Sequence, residues 1–442
     1  MSGAKQFKVA IVGGGIGGLT LAVGLLRRGV QVQVYEAAAA LGETGLGLSI
    51  GPAAQRILPL IDARIREAFD SLVTTHADSP GFERFRQTWF EFVWASGTRA
   101  GEVLLDLESP PTGQTTLRRT DLLDALISLL PPESVRLGKR LRTVEETPGA
   151  GPRLLFQDGS SVTADIVVGC DGIHSCVRPA VLPHDEALRC RPRYSGMYAY
   201  RAVLDMQTAI RAVGERRARV ATLYIGKGAY ALTYPVMRAQ KVNTGLYTYG
   251  KTWKDDDAWI RPVSRAVMER DFAHMGPLVN ALIKYMPDTS QWAIFELDHV
   301  STVCKSRVAI MGDAAHASTP HQGVGAGQAI EDAHVLTELL SDPSVTTPAH
   351  AEAALRAYDA VRLPRAQRAA STSKENAELL CLCREGVGDD GAKLTQEWRQ
   401  RFRWLWDIDV QQQVQDARGV MLEILAAADF DGLPCGEAPR AI

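Results

Sequence analysis

The sequence predicts an α/β protein in which a parallel sheet is interrupted by an inserted antiparallel sheet and followed by a helical region. Three observations lead to this class. Close to the start, an apolar strand runs into a glycine-rich turn and then a helix. Residues 193–250 alternate tyrosines and β-branched residues with turns, which is typical of antiparallel strands. After Pro348, apolar residues recur at helical spacing.

Length and composition limit what these elements can form. A chain of 442 residues exceeds a comfortable single core, so at least two domains are expected. The formal net charge of -2 favours neither nucleic acid nor an acidic membrane surface as a partner. Seven cysteines without metal-type spacing indicate reduced thiols in the cytoplasm and predict no metal site. No apolar run is long enough to predict a membrane-spanning helix.

The first element is a strand, a glycine turn and a helix. Residues 7–12 are an apolar strand, and Gly13, Gly15 and Gly18 then fit the pattern G-x-G-x-x-G. Such glycines let the backbone approach a pyrophosphate at the start of a helix. Glu36 follows the next strand, where an acidic side chain can accept both hydroxyls of an adenosine ribose. Together these features predict a Rossmann-like dinucleotide-binding domain.

A second glycine-rich stretch lies at residues 308–336. A buried strand leads to Asp313, then a loop with glycine and proline breakers leads to a helix after Gly327. Gly323 and Gly325 leave backbone N–H groups unshielded near that helix start, which attracts negative charge. Asp313 is an acceptor that could hold a ribitol or ribose hydroxyl. His316, close behind it, is interpreted as a structural histidine.

Several segments between these motifs have clear patterns. Residues 41–50 are apolar and punctuated by glycines, which indicates a backbone that passes close to a ligand. Residues 89–95 and 102–107 have the character of strands. Arg119 stands before a helix at residues 121–130, where a cation is unfavourable for the helix dipole. A nearby phosphate would explain its position.

The centre of the chain changes character. A hairpin over residues 153–164 contains the favoured turn Asp158-Gly159, and a buried strand then leads to Asp171-Gly172. Helical patterns return at residues 263–286, and one more strand follows at 292–297. The expected regions are residues 1–185 and 301–370 as two parts of the nucleotide-binding domain, residues 186–300 as a mainly antiparallel substrate domain, and residues 371–442 as a helical C-terminal region. A stripe of Trp398, Phe402, Leu405 and Trp406 at helical spacing is interpreted as core or subunit contact rather than a cofactor site.

Three separated motifs coincide in this chain: the glycine fingerprint with Glu36, the Asp171-Gly172 segment, and Gly312-Asp313 before the glycine loop. Over residues 7–370 this combination resembles the single-component FAD-dependent aromatic hydroxylases, the p-hydroxybenzoate hydroxylase-like group A flavoprotein monooxygenases. The segment P-H-Q-G-V-G-A-G-Q-A-I-E-D-A at residues 320–333 is most similar to the salicylate hydroxylase branch. It also resembles fungal enzymes that hydroxylate or dearomatise polyketide-derived phenols.

The resemblance implies a role for each matching position. The residues it places around FAD are Gly13, Gly15 and Gly18 at the pyrophosphate, Glu36 at the adenosine ribose, Gly47, Arg119, Gly325 and Ala326 along the flavin or its phosphates, and Asp313 at the ribitol. Asp171-Gly172 matches a second fingerprint shared between FAD and passing NAD(P)H. The chain departs from the family at His321 and Val324, where a second proline and a G-Q-G sequence are common.

The chemistry of the family also suggests catalytic candidates. NAD(P)H reduces FAD, a flavin C4a-hydroperoxide forms with O2, and water must be kept away from it. A phenolate reacts far better than a phenol, so a positive or hydrogen-bonding group should hold it in the sheet domain. Arg201 and Tyr234, which we expect on two neighbouring strands with alternating patterns, are our candidates, and they match an arginine and a tyrosine that orient the phenolate in the fungal branch. His321 is a further candidate as proton relay or carboxylate partner.

Several alternatives stay open at this stage. Plain hydroxylation, decarboxylative hydroxylation and dearomatisation are equally compatible with the residues, as are NADH and NADPH, and a monomer or a homodimer. A halogenase shares the fold, but its W-x-W-x-I-P segment is not matched by Trp404 to Asp409. An isoprenoid reductase also has this fold. Outside enzymes, a flavin-bound regulatory protein without turnover is the competing hypothesis.

Overall fold

The computed structural model describes residues 5–40, 47–146, 151–253 and 258–431. The first part of the predicted ligand-proximal segment, residues 41–46, lies outside the described residues. Two sheets organise the molecule. One is parallel apart from an edge strand and carries the glycine motifs, and the other is larger and mainly antiparallel.

The strands of the described chain have the following bounds. They are β1 (Lys8–Val12), β2 (Gln31–Tyr35), β3 (Gly47–Ser49), β4 (Thr88–Trp94), β5 (Val103–Glu108), β6 (Thr116–Arg118), β7 (Val135–Arg136), β8 (Leu141–Glu145), β9 (Arg153–Phe156), β10 (Ser161–Thr163), β11 (Ile166–Gly169), β12 (Arg193–Asp205), β13 (Thr222–Gly226), β14 (Ala229–Val236), β15 (Lys241–Thr248), β16 (Ile260–Val263), β17 (Thr289–Glu296), β18 (Cys304–Lys305) and β19 (Val308–Ile310).

The α-helices connect these strands and cover their faces. They are α1 (Ile16–Arg27), α2 (Pro52–Ile61), α3 (Ala63–Leu72), α4 (Arg119–Ser128), α5 (Arg178–Val181), α6 (His184–Arg189), α7 (Met206–Val213), α8 (Glu215–Arg219), α9 (Arg265–Phe272), α10 (Gly276–Tyr285), α11 (Asp313–His316), α12 (Gly325–Ser341), α13 (Pro348–Leu380), α14 (Gly391–Trp406) and α15 (Val410–Asp431). Within the described residues, no helix is long and apolar enough to cross a bilayer.

The first sheet has the strand order β18-β19-β11-β1-β2-β7. Pairing is parallel from β19 through β7, and α1 and α12 pack together beside the sheet. Parallel strands covered by helices are buried on both faces, which explains why β1 and β11 read as continuous apolar runs. This arrangement confirms the predicted Rossmann-like fold.

The second sheet has eight strands in the order β16-β17-β12-β15-β14-β13-β4-β5. Six of them come from residues 193–296, and their pairings with one another are antiparallel. The other two, β4 and β5, come from the segment that the sequence assigns to the first part of the nucleotide-binding domain. β4 joins β13 in parallel, with Thr222 opposite Glu91. This pairing links segments more than 100 residues apart and has no local sequence signal.

The C-terminal helices join the two sheets. Helix α13 is 33 residues long and buries Tyr358 in the core of the first sheet and Leu380 in a core of the second. Helix α14 places its aromatic stripe against the large sheet, with the Trp398 and Phe92 ring centroids 4.1 Å apart. The stripe therefore lies in the core of the chain, as one of the two readings of the sequence predicted.

Most predicted elements are present with shifted ends. The hairpin pairs β9 with β10 around the Asp158-Gly159 turn, with Gly159 at φ +83°. The helix expected after Gly327 begins earlier, at Gly325, because the loop already turns at Gly323 with φ +65°. Val263 ends a strand rather than opening a helix, since β16 pairs with β17 there.

Candidate active site

The glycine fingerprint lies at the carboxyl end of β1, facing the ends of β11 and β2. Gly13 has φ +108°, and a Cβ on it would lie 2.3 Å from the carbonyl oxygen of Cys170. A Cβ on Gly18 would lie 2.2 Å from the carbonyl oxygen of Gly13. Both positions therefore require glycine for packing. Gly15 differs, because no atom lies within 4 Å of its notional Cβ. Open space in front of a helix start is what a bound pyrophosphate requires.

Glu36 closes one side of this cleft. Its carboxylate accepts hydrogen bonds from the backbone N–H of Gly14 at 2.6 Å and of Ala38 at 2.7 Å. These contacts fix the carboxylate beside the glycine turn, at the end of β2, where the sequence placed it.

Asp171 lines the same cleft, but its carboxylate is directed into its own loop. It accepts hydrogen bonds from Ser175 Oγ at 2.6 Å and from the backbone N–H of Cys176 at 2.7 Å. Burial raises the pKa of Asp171, and these hydrogen bonds oppose the rise. The buried Arg178 then donates to the carbonyl oxygens of Ile173 and Ala314, at 2.9 and 3.0 Å. It thereby ties the Asp171 loop to the Asp313 turn.

Asp313 stands where the first cleft meets a second cavity. Its side chain is exposed to this space although protein surrounds its other sides. Removal of water raises the pKa of the Asp313 carboxyl, while His316 and Arg119 act in the opposite direction. Arg119 is the first residue of α4 and forms no ion pair with any carboxylate among the described residues. It lines the cleft together with Gly13 and Gly15, so its charge is available to a phosphate.

The start of α12 supplies backbone donors to the second cavity. Gly325 is its first residue, no side chain caps the helix, and no atom lies within 4 Å of a notional Cβ on Gly325. Ala326 is half-buried beside it and also lines the cavity. Unpaired N–H groups and the helix dipole make this end attractive to a negative charge.

A buried ionic cluster fixes this helix, and the sequence reading missed it. Arg362 donates to Asp332 Oδ1 and to Glu331 Oε2, each at 2.8 Å. Asp332 Oδ2 also accepts from the Gly312 N–H at 2.9 Å and contacts His316 Nε2 at 2.7 Å. Burial favours a raised pKa for Asp332, but His316 and Arg362 outweigh it and hold that pKa well below its usual range. His316 is therefore a partnered structural histidine, as predicted.

The second cavity lies between the large sheet and the start of α12, with a volume of about 290 Å³. Its walls combine a few polar side chains with aromatic and aliphatic ones. The polar members include Arg201, Tyr230, Tyr234, Asn243, Tyr247, Asp313 and His321, and the apolar members include Trp89, Phe90, Leu223, Leu232 and Phe402. This composition is that of a small-molecule site.

Arg201 is a cation without an anionic partner. It is half-buried on β12, forms no ion pair with a carboxylate of the described chain, and its Nε is buried without a hydrogen-bond acceptor. The nearest aromatic contact is Trp292, whose ring centroid lies 5.9 Å from the guanidinium carbon. A cation in such a place needs a partner, and an anionic ligand in the cavity would supply it.

Tyr234 faces the same cavity from β14, which is not the neighbour of β12 that the sequence predicted, because β15 pairs between the two strands. Its hydroxyl donates to the carbonyl oxygen of Gly47 at 3.1 Å, and its ring meets Phe90 edge to face. Burial raises the pKa of Tyr234 above its ordinary value, so the hydroxyl stays protonated. A Cβ on Gly47 would lie 3.0 Å from the Tyr234 ring, so glycine at position 47 permits this close approach.

His321 lies across the cavity from Arg201. Its Nδ1 is 2.8 Å from the hydroxyl of Tyr230, whose ring stacks on Tyr247 with centroids 4.6 Å apart. The Nε2 of His321 is buried without a partner among the described residues. Burial, assisted by Arg201, lowers the pKa of His321 to about 3. The ring is therefore neutral at physiological pH.

The predicted residues thus fall into two adjoining spaces. Gly13, Gly15, Glu36, Arg119 and Asp171 line the first, and Gly47, Arg201, Tyr234, Asp313, His321, Gly325 and Ala326 line the second. Gly18 lies behind the turn and serves packing. The sequence analysis did not predict Tyr230 and Asn243 as site residues. The alternation in Y-A-L-T-Y could have indicated Tyr230, because it puts Tyr230 on the same face of the strand as Tyr234.

A dinucleotide cleft that continues into a shielded cavity beside a helix start defines a flavin-dependent oxidoreductase. The profile of the FAD binding domain family matches residues 6–186 and 285–373. The chain is 38% identical over 430 residues to 6-methylsalicylate 1-monooxygenase from Aspergillus terreus, covering 96% of this chain and 94% of the relative. It is 37% identical over 422 residues to salicylate hydroxylase from Pseudomonas putida, covering 93% and 94%.

A solved structure agrees with these relatives. The substrate complex of a salicylate hydroxylase superposes with a TM-score of 0.83 at 31% identity, covering 93% of this chain and 98% of that one. The chain therefore belongs to the FAD-dependent monooxygenases of the salicylate hydroxylase-like family. Its cofactor is FAD and its co-substrate is NAD(P)H.

Proposed function

We propose that the chain hydroxylates a phenolic substrate, salicylate-like or polyketide-derived, which Arg201 binds as an anion. The observation that carries the proposal is the unpaired guanidinium of Arg201 in the cavity that also receives the start of α12. The two curated relatives described above act, by their names, on salicylate and 6-methylsalicylate. The overall reaction would consume NAD(P)H, a proton and O2, and would yield the hydroxylated product, NAD(P)+ and water.

The residues of the two spaces fit FAD. Gly15 and Arg119 would face the pyrophosphate, Glu36 the adenosine ribose, and Asp313 the ribitol. The open space at Gly15 and the unpaired cation of Arg119 support this assignment. When bound and reduced by NAD(P)H, FAD would supply the electrons that activate O2, which is the source of the oxygen atom transferred to the substrate. The N–H groups at Gly325 and Ala326 would stabilise negative charge on its ring system.

Substrate activation would come from the large sheet. Arg201 would hold the anionic oxygen of the substrate, a phenolate or the carboxylate of a phenolic acid, and its charge would favour ionisation of the ring hydroxyl to the more nucleophilic phenolate. The Tyr234 hydroxyl, which stays protonated, would turn its hydrogen from the Gly47 carbonyl to the substrate oxygen and so orient the ring from β14. His321 is neutral and so would act through a hydrogen bond, either in a proton relay or to a carboxylate, rather than as a cation.

Apolar side chains would keep water away from the reacting atoms. Trp89, Phe90, Leu232 and Phe402 line the cavity together with its polar groups. A dry site strengthens the interaction of Arg201 with an anion and protects a reactive oxygen species from hydrolysis. The apolar wall also supports a substrate that carries an alkyl or aryl substituent.

The fate of the product depends on the carbon that is attacked. If that carbon carries a carboxylate, CO2 leaves and the ring regains aromaticity; if it carries an alkyl group, a dearomatised hydroxydienone results. Plain ortho-hydroxylation is the third outcome. A screen of phenolic acids and alkylated resorcinols, followed by mass analysis for gain of oxygen and loss of CO2, distinguishes the three. A set in which no phenol stimulates NAD(P)H oxidation would contradict the proposal and favour a regulatory flavoprotein.

Retention of FAD gives a separate test of the cofactor residues. We expect purified protein to be yellow. Asp313→Ala removes the acceptor at the junction of the two spaces and should weaken FAD binding about tenfold or more. The dissociation constant follows from flavin fluorescence on titration of the apoprotein. Asp185→Ala, at an exposed position in α6 that lines neither space, is the matched control and should retain FAD fully.

Cellular site and assembly remain predictions. The six cysteines within the described residues are free thiols, which supports a reducing, cytoplasmic setting. We infer a monomer or a homodimer, and light scattering of the purified protein tests it.

A further inference from the structure

Asn243 is a buried amide of the cavity wall that has no hydrogen-bond partner among the described residues. Only 7% of its surface is exposed, and its side chain lines the cavity. Its two polar atoms are not sealed inside the protein, unlike Nε of Arg201 and Nε2 of His321. A buried amide without a partner is costly, so a ligand group that pairs with it is expected.

The strand register places Asn243 beside Arg201. Strand β15 lies between β12 and β14, with Gly245 opposite Arg201 and Asn243 opposite Tyr234. Residues two apart on a strand share a face, so Asn243, Gly245 and Arg201 look into the same space. Diagonal neighbours of this kind have Cβ atoms about 7 Å apart. Gly245 itself contributes no side chain between the guanidinium and the amide, but the Tyr247 ring lies over it, with a ring carbon 2.9 Å from a notional Cβ on Gly245.

We propose that Asn243 is a specificity-determining residue that recognises a second oxygen of the substrate, next to the anionic oxygen bound by Arg201. This inference rests on the proposed function. Donors that converge from two neighbouring strands suit oxygens on adjacent ring positions, such as a carboxylate and a hydroxyl. An amide both donates and accepts, so it accommodates a hydroxyl or a carbonyl at that second position.

The test compares two ligands that differ only in the second oxygen. Calorimetric titration of the FAD-loaded enzyme with benzoate and with 2-hydroxybenzoate gives a ratio of dissociation constants. We expect the wild type to bind 2-hydroxybenzoate about tenfold more tightly. Asn243→Leu should bring the ratio close to one and leave benzoate affinity within about twofold. Leu232→Met, in the same wall without a polar atom, is the matched control and should change both affinities alike.

Each outcome has a definite meaning. An Asn243→Leu enzyme that keeps the wild-type ratio overturns the inference and leaves the proposed function intact. A wild type that binds neither ligand, and oxidises no NAD(P)H with any phenol, overturns both. If Asn243→Leu loses FAD or fails to fold, Asn243→Ser provides the same comparison with a smaller change.

A charge variant tests the placement next to Arg201. Asn243→Asp puts a carboxylate one diagonal step from the guanidinium, where it competes with the ligand anion. We expect benzoate to bind at least about tenfold more weakly in this variant. Undiminished benzoate binding would show that the two side chains do not share a ligand and would overturn the inference.

Discussion

Arg362 and Arg201 are two arginines of one chain with opposite surroundings. Arg362 is 1% exposed and donates to Asp332, Glu331 and Gln328, so its charge is used entirely within the fold. Arg201 is half-buried, meets no carboxylate of the described chain and keeps an unsatisfied Nε. A buried cation with anionic partners stabilises the fold, whereas a buried cation without such partners is available to bind an anionic ligand. The absence of a carboxylate partner, rather than the presence of an arginine, therefore indicates the ligand-binding site.

The largest effect is expected from substitution of the paired arginine, Arg362. Arg362→Met leaves the buried Asp332 paired with His316 alone and Glu331 with Arg365 alone, so the free energy of unfolding should fall by about 3–5 kcal/mol. Urea denaturation followed by circular dichroism measures it. Arg356→Met, on the exposed face of the same helix, is the control and should change stability by less than about 0.5 kcal/mol. Equal loss in both variants would contradict the role of the cluster.

Substitution of the unpaired arginine, Arg201, should reduce activity and leave stability unchanged. Arg201→Ala removes the partner of the substrate anion, so kcat/KM should fall at least about 30-fold, while FAD retention and unfolding stay unchanged. Steady-state NAD(P)H oxidation coupled to product analysis measures the loss. Arg201→Lys keeps the charge but not the planar guanidinium, so its kcat/KM should lie between those of the wild type and Arg201→Ala. Full coupled activity in Arg201→Ala would remove Arg201 from the mechanism.

The ionic cluster also predicts how stability depends on pH. The pKa of Asp332 is depressed in the folded protein, so its contribution is fully present above the unfolded value of about 3.9 and is lost as pH falls further. We expect Asp332→Asn to be less stable than wild type at pH 7. Below about pH 4 the difference should shrink by up to about 1.4 kcal/mol per pH unit. Denaturant titrations at several pH values measure both slopes.

The smallest effect concerns the neighbour of His321. Tyr230→Phe removes the one hydrogen bond that the His321 ring makes within the described residues, while keeping the stack on Tyr247. Because the His321 ring is then no longer held in place, KM should rise about fivefold with little change in kcat. Tyr224→Phe, whose hydroxyl pairs with Thr233 in the same sheet, is the control and should leave KM unchanged. A change in FAD affinity instead of KM would place Tyr230 in cofactor binding.

Much of this arrangement follows from local sequence. The turn at Gly13 needs a positive φ, and the acid at Glu36 ends a strand, so short-range rules suffice to predict a dinucleotide cleft. The alternating pattern of β12 likewise predicts a cation at Arg201 that needs an anionic partner, and its Nε has none among the described residues. These features need only the periodicity of strands and the geometry of helix starts.

Other features depend on contacts between distant segments. The parallel pairing of β4 with β13 decides that Trp89 and Phe90 line the cavity, and no local pattern encodes that register. The position of Asn243 beside Arg201 follows only from the strand register, which puts Gly245 opposite Arg201. The partnership of Arg362 with Asp332 joins two helices, and the sequence shows merely charged residues on each.

The strand order of the first sheet has a consequence for synthesis of the chain. Strand β11, complete at Gly169, pairs on one side with β1 and on the other with β19, which ends at Ile310. A nascent polypeptide on the ribosome therefore presents the bare edge of β11 until residue 310 has emerged. Such an edge recruits other strands, so fragments ending before β19 should aggregate and the growing chain should depend on chaperones.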